Sequence, residues 1–136
     1  MMMDLRDNKR CYACGEENPS GLRIAFEIDK TSRSIRATFV PAADHQGFAG
    51  IVHGGILSTL LDEAMAKLTF VLGIPALTAE MTVTFKAPAA PGDTLSIDGR
   101  ILRESRKLVE AEASVHRGPV LVARANAKLL RVNALS

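Results

Sequence analysis

The sequence has no tryptophan, one tyrosine and five phenylalanines among 136 residues, and so it offers little aromatic surface for stacking nucleic-acid bases. Its net charge is only +2, from 17 basic and 15 acidic residues, which is too small to predict binding to nucleic acid or a membrane surface. No stretch reaches the roughly 18 apolar residues of a membrane-spanning helix. The sequence therefore predicts neither a nucleic-acid partner nor a membrane partner.

Cysteine is also scarce. Cys11 and Cys14 are too few for a disulfide framework, and the start MMMDLRDNKR lacks the apolar segment of a secretory signal. We therefore expect a cytoplasmic protein with reduced thiols. Structural zinc takes four ligands, and this CxxC has no second pair. A packed N-terminal turn is thus favoured over a zinc or redox role, and no metal is predicted.

The length and the 47% hydrophobic content suit one domain with a substantial core. The polar residues 1–20, which contain the CxxC, are expected to form a lead-in to a domain at 21–136. One long helical pattern runs from about Gly54 to Leu72, where Gly73 and Pro75 end it. Apolar residues alternate with others in six further segments, which predicts half-buried strands at about 22–29, 34–40, 81–85, 95–101, 109–115 and 121–129.

One-sided strands joined by short turns are typical of an antiparallel sheet, because the strands of a parallel sheet are apolar on both faces and alternate with helices. The sequence contains only one long helical pattern, so the parallel arrangement does not fit. The predicted fold class is therefore α+β, with about six strands and one dominant helix.

The predicted helix carries carboxylates in its apolar stretch GIVHGGILSTLLDEA, residues 50–64. It is apolar over more than half its circumference, so the sheet is expected to cover it. Thr59, Glu63 and Lys67 form a polar stripe, predicted to be solvated and to contain a Glu63–Lys67 pair. Asp62 falls on a less charged stripe at the margin of the apolar surface. It is either a solvated side chain or a candidate general base or nucleophile.

Gly54 and Gly55 stand at the start of this helix. They either permit a tight turn or leave helix N–H groups open to a developing negative charge. Gly54 and Asp62 are eight residues apart, or about 12 Å along a helix. This is too far for both to act on one carbonyl, so a shared site would need two chains with antiparallel helices in a symmetric dimer.

Three segments together resemble the hotdog-fold acyl-CoA thioesterases related to the 4-hydroxybenzoyl-CoA and phenylacetate-pathway enzymes. They are GIVHGGILSTLLDEA, LTAEMTVTFKAPAAPGDTL and RESRKLVEAEASVHRGPVLVARANAKLL. The resemblance covers about residues 20–131, and CYACGEENPSGL resembles a subgroup. It implies an antiparallel sheet wrapped around one long helix, and a homodimer with sites at its interface, often paired into a dimer of dimers. It also implies an acyl-CoA substrate, with no cofactor beyond the CoA that the substrate carries.

The resemblance also implies roles for individual residues. Asp62 matches the acidic residue that activates water or attacks the thioester, Gly54 the residue whose N–H polarises the carbonyl, and Thr78 a hydroxyl that orients the water. Gly55 adjoins Gly54 at the same substrate-binding turn. His53 is a candidate catalytic base, although a structural role in fixing that turn is favoured.

One position departs from the family pattern. Many relatives carry Asn or Gln six residues before the histidine of HGG, where this chain has Gly47. Its neighbours His45 and Gln46 could supply the missing polar contact, and Gln46 is favoured.

Basic residues cluster at a predicted turn between strands. They are Arg103, Arg106 and Lys107, with Arg131 further along. These cations either bind the CoA phosphates or belong to an ordinary solvated turn.

The predicted function is hydrolysis of a small aromatic or medium-chain acyl-CoA, with Leu61, Met65 and Phe70 among the side chains that could line the acyl pocket. Two alternatives stay open. One is a non-catalytic acyl-CoA binding protein, in which Asp62 is plain surface. The other is an enoyl-CoA hydratase or dehydratase of the same fold, which would need a histidine paired with a carboxylate, drawn from His45, His53 and Asp62.

Overall fold

A computed structural model describes residues 2–134. One helix, α1, spans Gly54–Val71, and a short 3₁₀ turn spans Ala43–His45. The strands are β1 (Met2–Met3), β2 (Glu27–Asp29), β3 (Ser34–Phe39), β4 (Ala76–Phe85), β5 (Leu95–Glu104), β6 (Leu108–Arg117), β7 (Val120–Arg131) and β8 (Asn133–Ala134). Six of them form one antiparallel sheet in the order β2-β3-β5-β6-β7-β4, while β1 and β8 form a separate parallel pair.

The core lies between α1 and the inner face of this sheet. Its fully buried helix side chains meet alternate residues of the strands, and the largest of both groups are Leu60, Leu61, Met65, Leu68, Leu95, Ile97, Val109, Val115 and Leu129. The helix comes close to β5 at Gly99, where an added Cβ would lie 3.0 Å from Ile35 and 3.5 Å from Ala64. Burial of this apolar surface holds the helix on the sheet. The predicted hotdog arrangement is thereby confirmed.

The predicted first strand is mostly irregular. Leu22 and Ile24 are buried as their alternation indicates, but regular strand structure begins only at Glu27. The N–H of Leu22 donates to the carbonyl of Tyr12, and that of Ile24 donates to the carbonyl of Ala13. This backbone therefore pairs with the N-terminal lead-in instead of the sheet. The alternation predicted the burial of these side chains correctly but could not identify the hydrogen-bond partner of their backbone.

The lead-in packs onto the helix. The thiols of Cys11 and Cys14 each donate to a carboxylate oxygen of Glu63, with S–O distances of 3.3 Å. Burial and the Glu63 charge raise the pKa of Cys14 to about 12, so its thiol keeps the proton that it donates. The prediction that Glu63 faces solvent beside Lys67 is therefore wrong. Within residues 2–134 these two side chains form no ion pair, and the Lys67 ammonium lies 5.7 Å from the centre of the Phe70 ring.

The helix ends as predicted. Gly73 has a φ of +77°, the left-handed conformation that glycine adopts readily at a helix C-terminus. In the part of the chain that the structure describes, no helix has the length and apolarity needed to cross a membrane.

Candidate active site

The histidine of the HGG motif caps helix α1. The Nδ1 atom of His53 accepts the N–H of Gly55 at 2.8 Å, and the His53 carbonyl accepts the N–H groups of Ile56 and Leu57. A Cβ at Gly55 would lie 2.9 Å from this Nδ1 atom, which explains the second glycine. The structure thus places His53 in a capping role, with its Nδ1 lone pair engaged by the backbone.

Gly54 is the first residue of the helix, and its N–H donates to no acceptor within residues 2–134. The dipole of an 18-residue helix adds partial positive charge at this point. A Cβ at Gly54 would lie 3.4 Å from the Phe85 ring, an ordinary contact, so packing within this chain does not demand glycine. The arrangement offers an unpaired amide donor to an approaching oxyanion.

Asp62 and Thr78 meet directly. The Thr78 hydroxyl donates to Oδ1 of Asp62 at 2.7 Å, and both side chains are half-buried. The register of β4 against β7 shifts between Thr78 and Glu80, so the hydroxyl stands next to a β-bulge. Bulges of this kind re-aim side chains beside active sites. The carboxylate is thereby held in one orientation, while its Oδ2 atom has no partner among the described residues.

The Gln46 side chain braces its own loop. Its Nε2 donates to the Ala43 carbonyl at 2.8 Å, and its Oε1 accepts the N–H of Gly50 at 2.6 Å. With both ends of the amide engaged in the loop, this structure gives Gln46 no contact directed at a substrate carbonyl.

His45 also has a local role. Its Nδ1 accepts the N–H of Ala42 at 2.8 Å, and its ring lies 5.4 Å from that of Phe39. The position of the missing amide, Gly47, lies against His53. A Cβ there would be 3.3 Å from Cδ2 of His53, closer than most real Cβ contacts. The capping histidine therefore leaves little room for an amide side chain at residue 47.

A cleft of about 570 Å³ opens beside the helix start, lined by loop residues 46–48 and 51–54. Two apolar side chains at this loop are exposed, Phe48 by 84% and Ile51 by 42%. By contrast, Leu61 and Met65 are fully buried in the core of their own chain. The expectation that these two could line the acyl pocket is wrong, because the sheet of the same chain already covers them. Phe70 is exposed by 47%.

The predicted phosphate-binding cations divide into two groups. Arg103 forms an ion pair with Glu110, and Arg131 lies 3.4 Å from Glu104. Arg106 and Lys107 are exposed in the β5–β6 turn, and within residues 2–134 their side chains form no ion pair. The second group is therefore the one available to a ligand.

Strand register relates that turn to Thr78. Thr78 pairs with Leu129, Leu129 with Val109, and Val109 with Glu104, immediately before the turn. The turn thus lies at the same end of the sheet as Thr78. Three strand spacings, or about 14 Å, separate them across the sheet.

The sequence matches the family model described as the thioesterase superfamily over residues 49–123, which include His53, Gly54, Asp62 and Thr78. It is 30% identical to acyl-coenzyme A thioesterase 13 of Mus musculus, over 69% of this chain and 78% of the mouse protein. It is 31% identical to an uncharacterized protein of Schizosaccharomyces pombe, over 74% of this chain. The matched region spans only 62% of that yeast protein.

Solved structures share the fold. A thioesterase superfamily protein superposes with a TM-score of 0.83 at 19% identity, over 90% of this chain and 60% of the other. A Streptococcus mutans protein, crystallised with acetyl-CoA, superposes with a TM-score of 0.73 at 22% identity, over 81% of this chain and 87% of the other.

Proposed function

Because this chain belongs to the thioesterase superfamily, a family of thioester hydrolases, we propose that it hydrolyses acyl-CoA with Asp62 as its reactive carboxylate. The observation that carries the proposal is the 2.7 Å hydrogen bond from Thr78 to Asp62. It fixes one carboxylate oxygen and leaves the other for chemistry. The acetyl-CoA bound to the Streptococcus mutans protein supports the choice of CoA ester as substrate.

In the proposed reaction, Asp62 takes a proton from water as the water oxygen attacks the thioester carbonyl. The carbonyl oxygen becomes an oxyanion, which the Gly54 N–H and the helix dipole stabilise. The carbon–sulfur bond then breaks, and the CoA sulfur leaves and is protonated to the free thiol. A second route keeps the same groups: Asp62 attacks the carbonyl carbon, and water hydrolyses the resulting anhydride. In both, Thr78 positions the water.

The proposed site is shared between two chains. Gly54 lies beside Phe85 at the end of β4, whereas Asp62 accepts a hydrogen bond from Thr78 near the start of β4. Gly54 and Asp62 are therefore about 12 Å apart along the helix. β4 is an edge strand of ten residues whose outer side has no partner among residues 2–134. Long uncovered edge strands favour pairing with another chain. A homodimer joined along β4 would cover this edge and bring a second helix start into reach.

We further propose that Arg106 and Lys107 bind the CoA phosphates, since both are exposed and neither forms an ion pair within the described residues. The exposed Phe48, Ile51 and Phe85 supply apolar surface near the helix start for the acyl group. A small aromatic or medium-chain acyl group suits such a surface. The pairing of dimers into tetramers and the cytoplasmic location stay predictions, the latter resting on the two free thiols.

The hydratase alternative needs a histidine paired with a carboxylate. In this structure Nδ1 of His53 is engaged by Gly55, and Asp62 is engaged by Thr78, with no hydrogen bond between His53 and Asp62. Within one chain, therefore, His53 and Asp62 do not form the pair that hydration needs.

A panel of acyl-CoAs with a thiol-detecting assay tests the proposal. We expect thiol release from at least one short aromatic or medium-chain ester, and a loss of kcat of about 10²–10⁴-fold in Asp62→Asn. Asp98→Asn, a change at an exposed carboxylate of β5, is the matched control and should keep full activity. Thiol release that survives in Asp62→Asn would refute the role of Asp62. Acyl-CoA binding without thiol release would favour a binding protein, and water addition to an enoyl-CoA would favour the hydratase.

A further inference from the structure

Two thiols and one carboxylate converge on the side of α1 next to the proposed active site. The Sγ atoms of Cys11 and Cys14 lie 3.3 Å from different oxygens of Glu63. One ligand atom from each of the three residues lies within 4.8 Å of the others, and all three side chains are half-buried. The cysteines are 52 and 49 residues away from Glu63 in the sequence, so only the fold brings them together.

The turn that carries the cysteines is built tightly. The N–H of Gly15 donates to the Cys11 carbonyl at 2.8 Å, and a Cβ at Gly15 would lie 2.4 Å from the Cys11 nitrogen. The N–H of Cys14 points at the Cys11 sulfur at 3.5 Å, so the two cysteines also contact each other within the turn. Ala13 between them is buried, with 3% of its surface exposed. Both sulfurs thus project from one tight turn toward Glu63.

We propose that Cys11, Cys14 and Glu63 form a Zn²⁺ site with three protein ligands and a fourth position open to water. Thiolates select soft or borderline metals such as zinc, and a carboxylate oxygen is an accepted zinc ligand. Two thiolates, one carboxylate and Zn²⁺ sum to a charge of −1. The nearby Lys67 ammonium, whose charge acts on Cys14, offsets that remaining charge.

Binding of Zn²⁺ would exchange the metal ion for thiol protons. Zn²⁺ forms two bonds to sulfur and one to a Glu63 oxygen, while the thiols of Cys11 and Cys14 release two protons to the solvent. The ion would tie the lead-in to the helix at the residue next to Asp62. Neighbouring helical residues point about 100° apart, so the metal lies to one side of the reactive carboxylate. Its proposed role is to fasten the lead-in, not to take part in the thioester chemistry.

Metal uptake tests this directly, without any assay of hydrolysis. The full chain is reduced, stripped with a chelator and titrated with Zn²⁺ against a chromophoric competitor, and with Co²⁺ in an absorption spectrometer. We expect one ion per chain, release of about two protons per ion, and sulfur-to-cobalt charge-transfer bands. Failure of the reduced chain to bind Zn²⁺, or a Co²⁺ spectrum without thiolate bands, would overturn the proposal.

Glu63→Gln is the sharpest variant, because it keeps both thiols and nearly the same side-chain shape. We expect it to weaken Zn²⁺ binding by at least about 100-fold, since loss of an outer-shell partner alone costs 10–100-fold. Glu16→Gln, at an exposed acid in the same lead-in, is the matched control and should bind like the unaltered chain. Circular dichroism confirms that each variant is folded. Binding by Glu63→Gln equal to that of the control would remove Glu63 from the site and refute the proposal.

Discussion

The hydroxyl of Thr78 donates to Oδ1 of Asp62 at 2.7 Å, and this contact joins helix α1 to the edge strand β4. The two residues are 16 positions apart in the sequence. Their meeting depends on the crossing of the helix over the sheet and on the bulge that follows Thr78. It orients the carboxylate on which the proposed hydrolysis depends.

Removing the Thr78 hydroxyl should slow the reaction. In Thr78→Val the shape is kept but the donor is lost, and a hydrogen bond to a charged group contributes about 1.5–3 kcal/mol. We therefore expect kcat to fall about 10–100-fold, with a smaller change in KM. Thr78→Ser keeps the hydroxyl and should retain most of the activity. Thr82→Val, at an exposed threonine of the same strand, controls for the loss of a hydroxyl elsewhere. A Thr78→Val variant with unaltered kcat would contradict the positioning role.

The Gly54 N–H can be deleted with little cost to the helix. Proline is well tolerated at the first helical position, and the preceding His53 already has the extended conformation that a following proline requires (φ −61°, ψ 134°). Gly54→Pro should lower kcat about 10²–10³-fold by removing one oxyanion donor. Gly54→Ala keeps the N–H, and its Cβ makes only an ordinary contact with Phe85, so its loss should be much smaller. Equal losses in the two variants would show that bulk, and not the N–H, is responsible.

Mixed dimers test whether the site is shared. If Asp62 of one chain acts with Gly54 of its partner, a dimer of one Asp62→Asn chain and one Gly54→Pro chain has one site with both defects and one intact site. Random mixing of the two inactive variants should then restore about a quarter of the activity of the unaltered protein. If each site uses Asp62 and Gly54 of the same chain, mixing restores nothing. Mixing either variant with itself is the control.

The β2–β3 turn should make stability depend on pH in the acid range. The N–H groups of Ser32 and Thr31 donate to the Asp29 carboxylate and hold its pKa below the ordinary value of 3.8. A carboxyl group whose pKa is lowered on folding adds stability above its unfolded pKa and loses that stability as pH falls through the folded pKa. Asp29→Asn should therefore lower Tm at neutral pH, and the difference should shrink at pH values below 3.8.

Thermal unfolding from pH 7 down to acid conditions measures this effect. Asp98→Asn is the control, because Asp98 accepts no hydrogen bond from a turn among residues 2–134. A Tm difference for Asp29→Asn that stays constant with pH would contradict the expectation.

Local patterns predicted most of the fold because strands and helices are specified by neighbouring residues. The helix was expected at about Gly54 to Leu72 and spans Gly54–Val71, and the strands were predicted from the alternation that one buried face imposes. The irregular segment before β2 was predicted as a strand because Leu22 and Ile24 alternate with other residues. Both are buried, but their backbone N–H groups donate to the lead-in. Burial on one face of a strand produces a repeating pattern in the sequence, whereas the identity of the backbone hydrogen-bond partner produces none.

For the candidate site, too, the sequence predicted some features and only the structure shows the others. The spacing of Gly54 and Asp62, together with the family resemblance, predicted which residues to consider, and the structure brings Thr78 to Asp62. The backbone contacts of Gln46 and His45 could not be read from the sequence, because they arise from the path of a loop. Full burial of Leu61 and Met65 was likewise decided by how far the sheet wraps around the helix.

By itself, the sequence determined the helix, its histidine cap, its glycine end and the alternating strands, because each depends on residues only a few positions apart. Tertiary structure alone decided that Thr78 holds Asp62 and that two thiols of the lead-in reach Glu63. Those contacts join residues from 16 to 52 positions apart. They depend on the register and crossing of packed elements, which the burial of the whole core fixes and no short pattern records.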